Sequence, residues 1–163
     1  MTRIHAILGL TACLLATPSA VLAQQPDQPN TKSAPEELLG AYTIVSGEKY
    51  GDKEPADRLA GTTVRFADDA IIVLDKEKKE VYAQTYKVDT TSTPWKITMT
   101  SKITPYTPKG KDAGGDMVAK GLIEKKGDTV RLIYALPGGE MPTEFKTKEK
   151  QLMFVMVNER KSK

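Results

Sequence analysis

Cysteine and histidine are almost absent from this chain of 163 residues. It has one cysteine, Cys13, and one histidine, His5, and both lie in the first 23 residues. We expect this stretch to be removed, so that the mature protein has no thiol and no imidazole. That composition excludes a disulfide, a cysteine nucleophile, a histidine general base and the usual zinc ligands. We therefore expect no cofactor, and the sequence predicts a protein that is not an enzyme.

The first 23 residues have the pattern of a secretory signal peptide. Arg3 supplies the positive charge, residues 4–15 are apolar and uncharged, and Val21-Leu22-Ala23 precedes a polar tail. This pattern predicts cleavage after Ala23. The apolar run is too short for a transmembrane helix and is followed by Pro18. We expect an exported protein, periplasmic or extracellular, with no transmembrane span in its mature form.

A second interpretation of this segment remains open. Leu10-Thr11-Ala12-Cys13 has the form of a bacterial lipobox, in which Cys13 would be lipidated and become the mature N-terminus. Few residues precede Cys13, and the apolar region continues past it to the conventional site. Cleavage after Ala23 is therefore favoured over lipidation of Cys13.

An excess of charge of one sign is also lacking. The chain has 24 Lys and Arg against 21 Asp and Glu, a formal net charge of +3. Lysines are scattered through loops and strand ends with acids between them, as in residues 76–80. Mixed signs of this kind are typical of solvated turns and provide no organised basic face. We expect no nucleic-acid binding, and we expect a monomer.

Helical periodicity is nearly absent, and short strands take its place. Residues 24–35 are polar and proline-rich, which is typical of a flexible linker, and the domain is expected at residues 36–160. A helical turn at residues 35–39 would let Leu38 and Leu39 plug one end of a barrel. Alternation predicts eight strands joined mainly by short turns: 41–48, 62–67, 70–74, 80–89, 95–100, 117–124, 129–136 and 152–158.

This order of strands predicts the fold class. Sequential strands with short turns favour antiparallel up-and-down pairing, and eight strands suit closure into a barrel without exposed edges. The sequence thus predicts an all-β, eight-stranded barrel, with an open β-sandwich as the alternative.

Four stretches of the domain resemble known families. Residues 39–45, LGAYTIV, resemble the L-x-G-x-W-x-(V/I)-(V/I) opening of lipocalin-like domains, with Tyr42 in place of Trp. Residues 121–132, GLIEKKGDTVRL, resemble the G-I-Y-x-x-x-G-D-T-L-x-L block of a planctomycete-type family of small secreted uncharacterised proteins. Pro142-Thr143-Glu144-Phe145 and Val157-Asn158-Glu159-Arg160 match that family's P-T-E-F and its closing strand.

The resemblance covers roughly residues 38–160 and implies a lipocalin-like, calycin-type β-barrel. It departs from the family pattern at three positions. Ile133 stands where many members have Cys, Met141 where Arg usually precedes P-T-E-F, and Ile123 where Tyr is common. The resemblance implies no activity and no site residues.

Apolar residues on the predicted inner faces suggest two classes of function. They line a pocket for a small apolar or amphipathic ligand, or they fill a packed core. In the second case, loops 50–60 and 104–116 would contact a cell-envelope protein, for example as a protease-inhibitor-like barrel. The residues in question are Tyr42, Trp95, Ile97, Met99, Tyr134, Phe154 and Met156.

Carboxylates offer only weak candidates for chemistry. Glu140 and Glu144 leave open catalysis by a carboxylate pair, as in glycoside hydrolysis, although both lie in an ordinary loop. Asp68-Asp69, Asp112 and Asp116 lack the spacing of a calcium loop, and aspartates in turns usually bind backbone N–H groups. The sequence predicts no metal site and no catalytic residue.

Overall fold

The computed structural model describes residues 34–101 and 116–159. The predicted signal peptide with Cys13, most of the linker, and most of loop 104–116 lie outside these residues. The described part forms one short 3-10 helix, one α-helical turn and nine strands. The 3-10 helix is Glu36–Leu38 and the helical turn α1 is Ala56–Leu59; the strands are β1 Gly40–Lys49, β2 Asp52–Lys53, β3 Thr63–Phe66, β4 Ala70–Leu74, β5 Glu80–Asp89, β6 Trp95–Ser101, β7 Met117–Lys126, β8 Thr129–Ala135 and β9 Gln151–Asn158.

Eight of these strands close into an antiparallel barrel. Strands β3 to β9 pair in chain order, and β1 pairs with both β3 and β9. The short β2 pairs only with the end of β1, so it stays outside the ring. The pairing of β1 with β9 confirms the predicted barrel and shows that the open sandwich is wrong. The helical turn predicted at residues 35–39 is confirmed as the 3-10 helix Glu36–Leu38.

A leucine and three aromatic rings fill one end of the barrel, which we call the plugged end. Leu38, on the 3-10 helix, is fully buried, and its carbonyl oxygen accepts a hydrogen bond of 3.0 Å from the Tyr42 hydroxyl. The ring of Tyr42 meets Phe66 edge-on at 5.7 Å, and Phe66 meets Tyr86 at 5.8 Å. The Tyr86 hydroxyl in turn donates to the carbonyl of Ala67. Each buried polar tip therefore has a partner, as burial requires.

The connections at the two ends differ in length. At the plugged end, tight turns join β3 to β4 and β7 to β8, and a short loop joins β5 to β6. At the opposite end, which we call the loop end, lie the segment with β2 and α1, the turn before β5, and the segment before β9. The chain also leaves β6 and enters β7 there, since Ser101 pairs with Met117. Function more often resides on long connections than on tight turns.

Strand β1 contains a bulge. From sequence, Gly47 is a candidate for a bulge or a bend in this strand, but the register shifts between Ile44 and Ser46, which makes Val45 the extra residue. Val45 is accordingly 56% exposed. Gly47 instead faces inward, where a Cβ atom would lie 3.2 Å from both Leu59 and Phe154. The glycine there makes room for inner packing.

The segment of residues 136–150, which we call the outer strap, covers part of the outer wall. Phe145 packs on Leu122, Ile133 and Met153, which point outward from β7, β8 and β9. The guanidinium of Arg131 lies 4.3 Å from the centre of the Phe145 ring and also donates to Glu124. This cover explains why β9 is apolar on both faces.

A polar network on the outside of β1 and β3 ties the chain's last described residue to the barrel. Oε1 of Glu159 accepts hydrogen bonds from Thr63 Oγ1 at 2.7 Å, from Lys78 Nζ at 2.9 Å and from Thr43 Oγ1 at 3.3 Å. The bond from Lys78, followed by that from Thr63, lowers the pKa of Glu159. Folding therefore favours the ionised carboxylate.

Glu159→Gln should lower the free energy of unfolding at pH 7 by about 0.5–1 kcal/mol, a small effect because Lys78 is largely exposed. A carboxyl group whose pKa is lower in the folded state stabilises the fold at pH values above its unfolded-state pKa. This stabilisation is lost as the pH falls through the folded-state pKa. The difference between wild type and variant should therefore shrink below about pH 4 in urea unfolding curves. Glu77→Gln on the neighbouring exposed turn is the control. A Glu159→Gln effect that stays constant with pH would contradict this role.

Candidate functional site

Five inward-facing side chains at the loop end form the candidate site. We call them the rim cluster: Tyr82, Gln84, Met117, Tyr134 and Phe154. Tyr82 lies opposite Val73, which packs on the inner core, and Gln84 lies opposite Ile71. Met117 lies two residues before Ala119 on β7, and Ala119 lies opposite the buried Met99. Because residues two apart on a strand share a face, these side chains point inward.

Burial falls sharply between the barrel core and the rim cluster. Toward the plugged end and the middle, Ile97, Met99 and Met156 are each 1% exposed. In the rim cluster, Tyr82 is 43% and Met117 is 45% exposed. Two large inward-facing side chains thus remain accessible to solvent at the loop end, where apolar surface is free to meet a ligand.

The rim cluster also carries polar groups. The Tyr82 hydroxyl donates to Gln84 Oε1 at 3.1 Å, and Gln84 Nε2 donates to the sulfur of Met99 at 3.2 Å. Burial, and secondarily the neighbouring Tyr82, raises the pKa of Tyr134 to about 12. Tyr134 is thus a neutral hydroxyl at physiological pH. The ring centres of Tyr134 and Phe154 are 6.5 Å apart, so an aromatic surface adjoins these polar groups.

All seven residues predicted from sequence as pocket lining or core belong to the inner cluster or pack against it. Four of them are buried, namely Tyr42, Ile97, Met99 and Met156. Trp95 is partly buried and begins β6 at the plugged end. Only Tyr134 and Phe154 reach the rim cluster.

Tyr82, Gln84 and Met117 were not among the predicted site residues. The signal for two of them is present in the sequence, because Tyr82 and Gln84 alternate in step with the buried Tyr86 and Val88 along β5. Which inward residues stay accessible depends on where the neighbouring strands end. That is a property of the closed barrel, and one strand's pattern does not contain it.

The carboxylates considered from sequence lie on the surface. Glu140 and Glu144 are exposed on the outer strap, and Asp68, Asp69 and Asp116 are exposed at strand ends. Asp112 lies outside the described residues. Within residues 34–101 and 116–159, no group of three or more acidic, histidine or cysteine side chains is placed to hold a metal ion.

None of the helices in the described residues is long and apolar enough to cross a membrane. Comparisons with protein-family models, with curated proteins and with solved structures found no match.

Proposed function

We propose that this protein is an exported small β-barrel that binds a small apolar or amphipathic ligand at the rim cluster. The observation that carries the proposal is the exposure of Tyr82 and Met117, which face inward above an otherwise buried interior. Export rests on the signal-peptide pattern of residues 1–23. The lipocalin-like resemblance, which implies a barrel able to hold one small ligand, supports the same proposal.

The chemistry of the rim cluster favours an amphipathic ligand. Phe154, Met117 and the ring of Tyr134 offer apolar contact to a chain or ring system. The Tyr82 hydroxyl and the Gln84 amide can exchange their mutual hydrogen bond for bonds to a ligand's polar group. Since the inner side chains between the rim cluster and the plugged end are buried, the ligand would bind close to the surface at the loop end and leave the plugged end unchanged.

A protein-interaction module of the cell envelope, including a protease-inhibitor-like barrel, is the second candidate. It is favoured by two exposed residues at the same end that face away from the interior. Val81, the extra residue of a bulge in β5, is 58% exposed, and the outward-facing Val118 is 50% exposed. An apolar partner surface could cover both.

The two proposals predict opposite results for two matched pairs of substitutions. Tyr82→Ser with Met117→Ser removes inward apolar surface, and Val81→Ser with Val118→Ser removes a similar outward surface. With the uncharged fluorescent probe N-phenyl-1-naphthylamine, the inward pair should weaken binding at least about tenfold and the outward pair less than about twofold.

Native mass spectrometry of protein purified without detergent should also show an extra mass that the inward pair loses. Failure of the wild type to bind the probe, or equal loss with both pairs, would contradict ligand binding at the rim cluster. Loss of a co-purifying envelope protein with the outward pair alone would instead support the interaction module.

A further inference from the structure

A basic groove lies on the outer wall of the barrel, on β5, β6 and β7. Its volume is about 290 Å³. Three lysines that are far apart in the sequence meet there, although the sequence pattern indicates no organised basic face. The side chains that matter for binding are Lys87, Asp89, Lys96, Thr98, Lys120 and Met141.

Strand register places two of the lysines on either side of a hydroxyl. Lys87 lies directly opposite Thr98, and Thr98 lies directly opposite Lys120 on the next strand. Neighbouring strands are about 4.8 Å apart, so the two lysine Cα atoms are separated by about 10 Å, with Thr98 between them. Both ammonium groups can therefore converge above the Thr98 hydroxyl.

The third lysine adds positive charge to the same groove. Lys96 is two residues from Thr98 on β6, and Asp89 lies opposite it. The Asp89 carboxylate already accepts hydrogen bonds from the backbone N–H and the hydroxyl of Thr91. In the described parts of the chain, none of the three groove lysines has an acidic side chain within ion-pair distance. The groove thus has a net positive charge.

The outer strap gives the groove its wall. The strap covers the outward faces of Leu122, Ile133 and Met153 but leaves the outward face of β5 and β6 uncovered. The groove lies at this step, and Met141 of the strap lines it while remaining 40% exposed. An apolar side chain therefore stands beside the cluster of ammonium groups.

We propose that this groove binds the phosphoryl group of a phosphate monoester, with the apolar part of the ligand against Met141. Two ammonium groups and a hydroxyl, carried at matching register by three neighbouring strands, can reach one point in the groove, which suits the several oxygens of a tetrahedral anion. Lysine binds phosphate as a point charge, whereas planar carboxylates are better matched by the fork of arginine. Two sources carry this phosphoryl group, a soluble monoester and a phospholipid with a monoester headgroup, and the experiment separates them.

The test is a set of NMR titrations of the purified ¹⁵N-labelled protein with inorganic phosphate, with octyl phosphate below its micellar concentration, and with vesicles that contain phosphatidic acid, whose headgroup is a phosphate monoester. Saturable shifts of the amides of Lys87, Thr98 and Lys120 are expected with octyl phosphate. Lys87→Gln with Lys120→Gln should weaken this binding at least about tenfold, because charge-assisted hydrogen bonds are lost. Met141→Ser should weaken the binding of octyl phosphate but leave the binding of inorganic phosphate unchanged.

The matched control is Lys53→Gln with Lys146→Gln, which removes the same charge from exposed positions on β2 and the strap. It should change affinity less than about twofold, a result that separates a built site from attraction to net charge. Binding of the vesicles that also depends on Lys87 and Lys120 would identify a lipid headgroup as the ligand. Binding of octyl phosphate without binding of the vesicles would identify a soluble monoester. Shifts that do not saturate with octyl phosphate, or equal losses in both double variants, would overturn the proposal.

Discussion

Gly121→Ala should lower the free energy of unfolding by about 3 kcal/mol, as expected for severe overpacking of a core. Gly121 faces inward on β7, between Ile97 on β6 and Tyr134 on β8. A Cβ atom there would overlap the backbone oxygen of Ile133 and would lie 2.8 Å from the Cα of Tyr134. Backbone atoms in a closed barrel have no free direction in which to move, so the strands themselves would have to separate.

Gly127→Ala is the matched control for Gly121→Ala. Gly127 lies in the turn between β7 and β8 with φ of +56°, and nothing lies within 4 Å of an added Cβ atom. Gly127→Ala should therefore lower the free energy of unfolding by about 1 kcal/mol, through the strain of a positive φ alone. Urea unfolding curves measure both variants. Equal losses at the two glycines would show that Gly121 is not required by the close approach of β7 and β8.

Leu38→Ala should lower the free energy of unfolding by about 3 kcal/mol, because it leaves a cavity at the plugged end of the barrel. Leu38 is fully buried, and the Tyr42 hydroxyl is bonded to its carbonyl. The substitution keeps the carbonyl of residue 38, so the hydrogen bond from the Tyr42 hydroxyl can still form. It opens a cavity beneath the rings of Tyr42 and Phe66. The unfolding midpoint should fall while the dependence of the free energy on urea stays the same.

Leu39→Ala is the control for the plug. The sequence predicts that Leu38 and Leu39 together plug one end of the barrel, but Leu38 is buried and Leu39 only partly so. Leu39→Ala should therefore cost about 1 kcal/mol, in proportion to the smaller apolar area that it removes from water. A loss at Leu39 as large as that at Leu38 would contradict a plug formed by Leu38 alone.

The fold could be predicted from sequence because its signals are local. Alternation along each strand identifies the inner face, as with Tyr86 and Val88 on β5, and the Gly127-Asp128 turn marks a hairpin. Successive hairpins leave few topologies for eight strands, and a closed ring satisfies the backbone groups of β1 and β9. The predicted strands consequently agree with the observed ones to within about two residues.

The candidate sites were harder to predict because they depend on relations between strands. The bulge at Val45 is decided by its pairing with β9, and the bulge at Val81 by its pairing with β4. Lys87 and Lys120 are separated by 33 positions and meet only through Thr98. Phe145 likewise covers the outer wall through contacts that no alternation pattern indicates.

The proposed function requires that a ligand binds at the rim cluster and not deep in the barrel. The most direct test is an amide NMR titration of the protein with N-phenyl-1-naphthylamine. We expect saturable shifts at Tyr82, Gln84, Met117 and Phe154, with the amides of Tyr42 and Trp95 at the plugged end unchanged. Saturable shifts centred on Tyr42 and Trp95, or no saturable shifts at all, would contradict it.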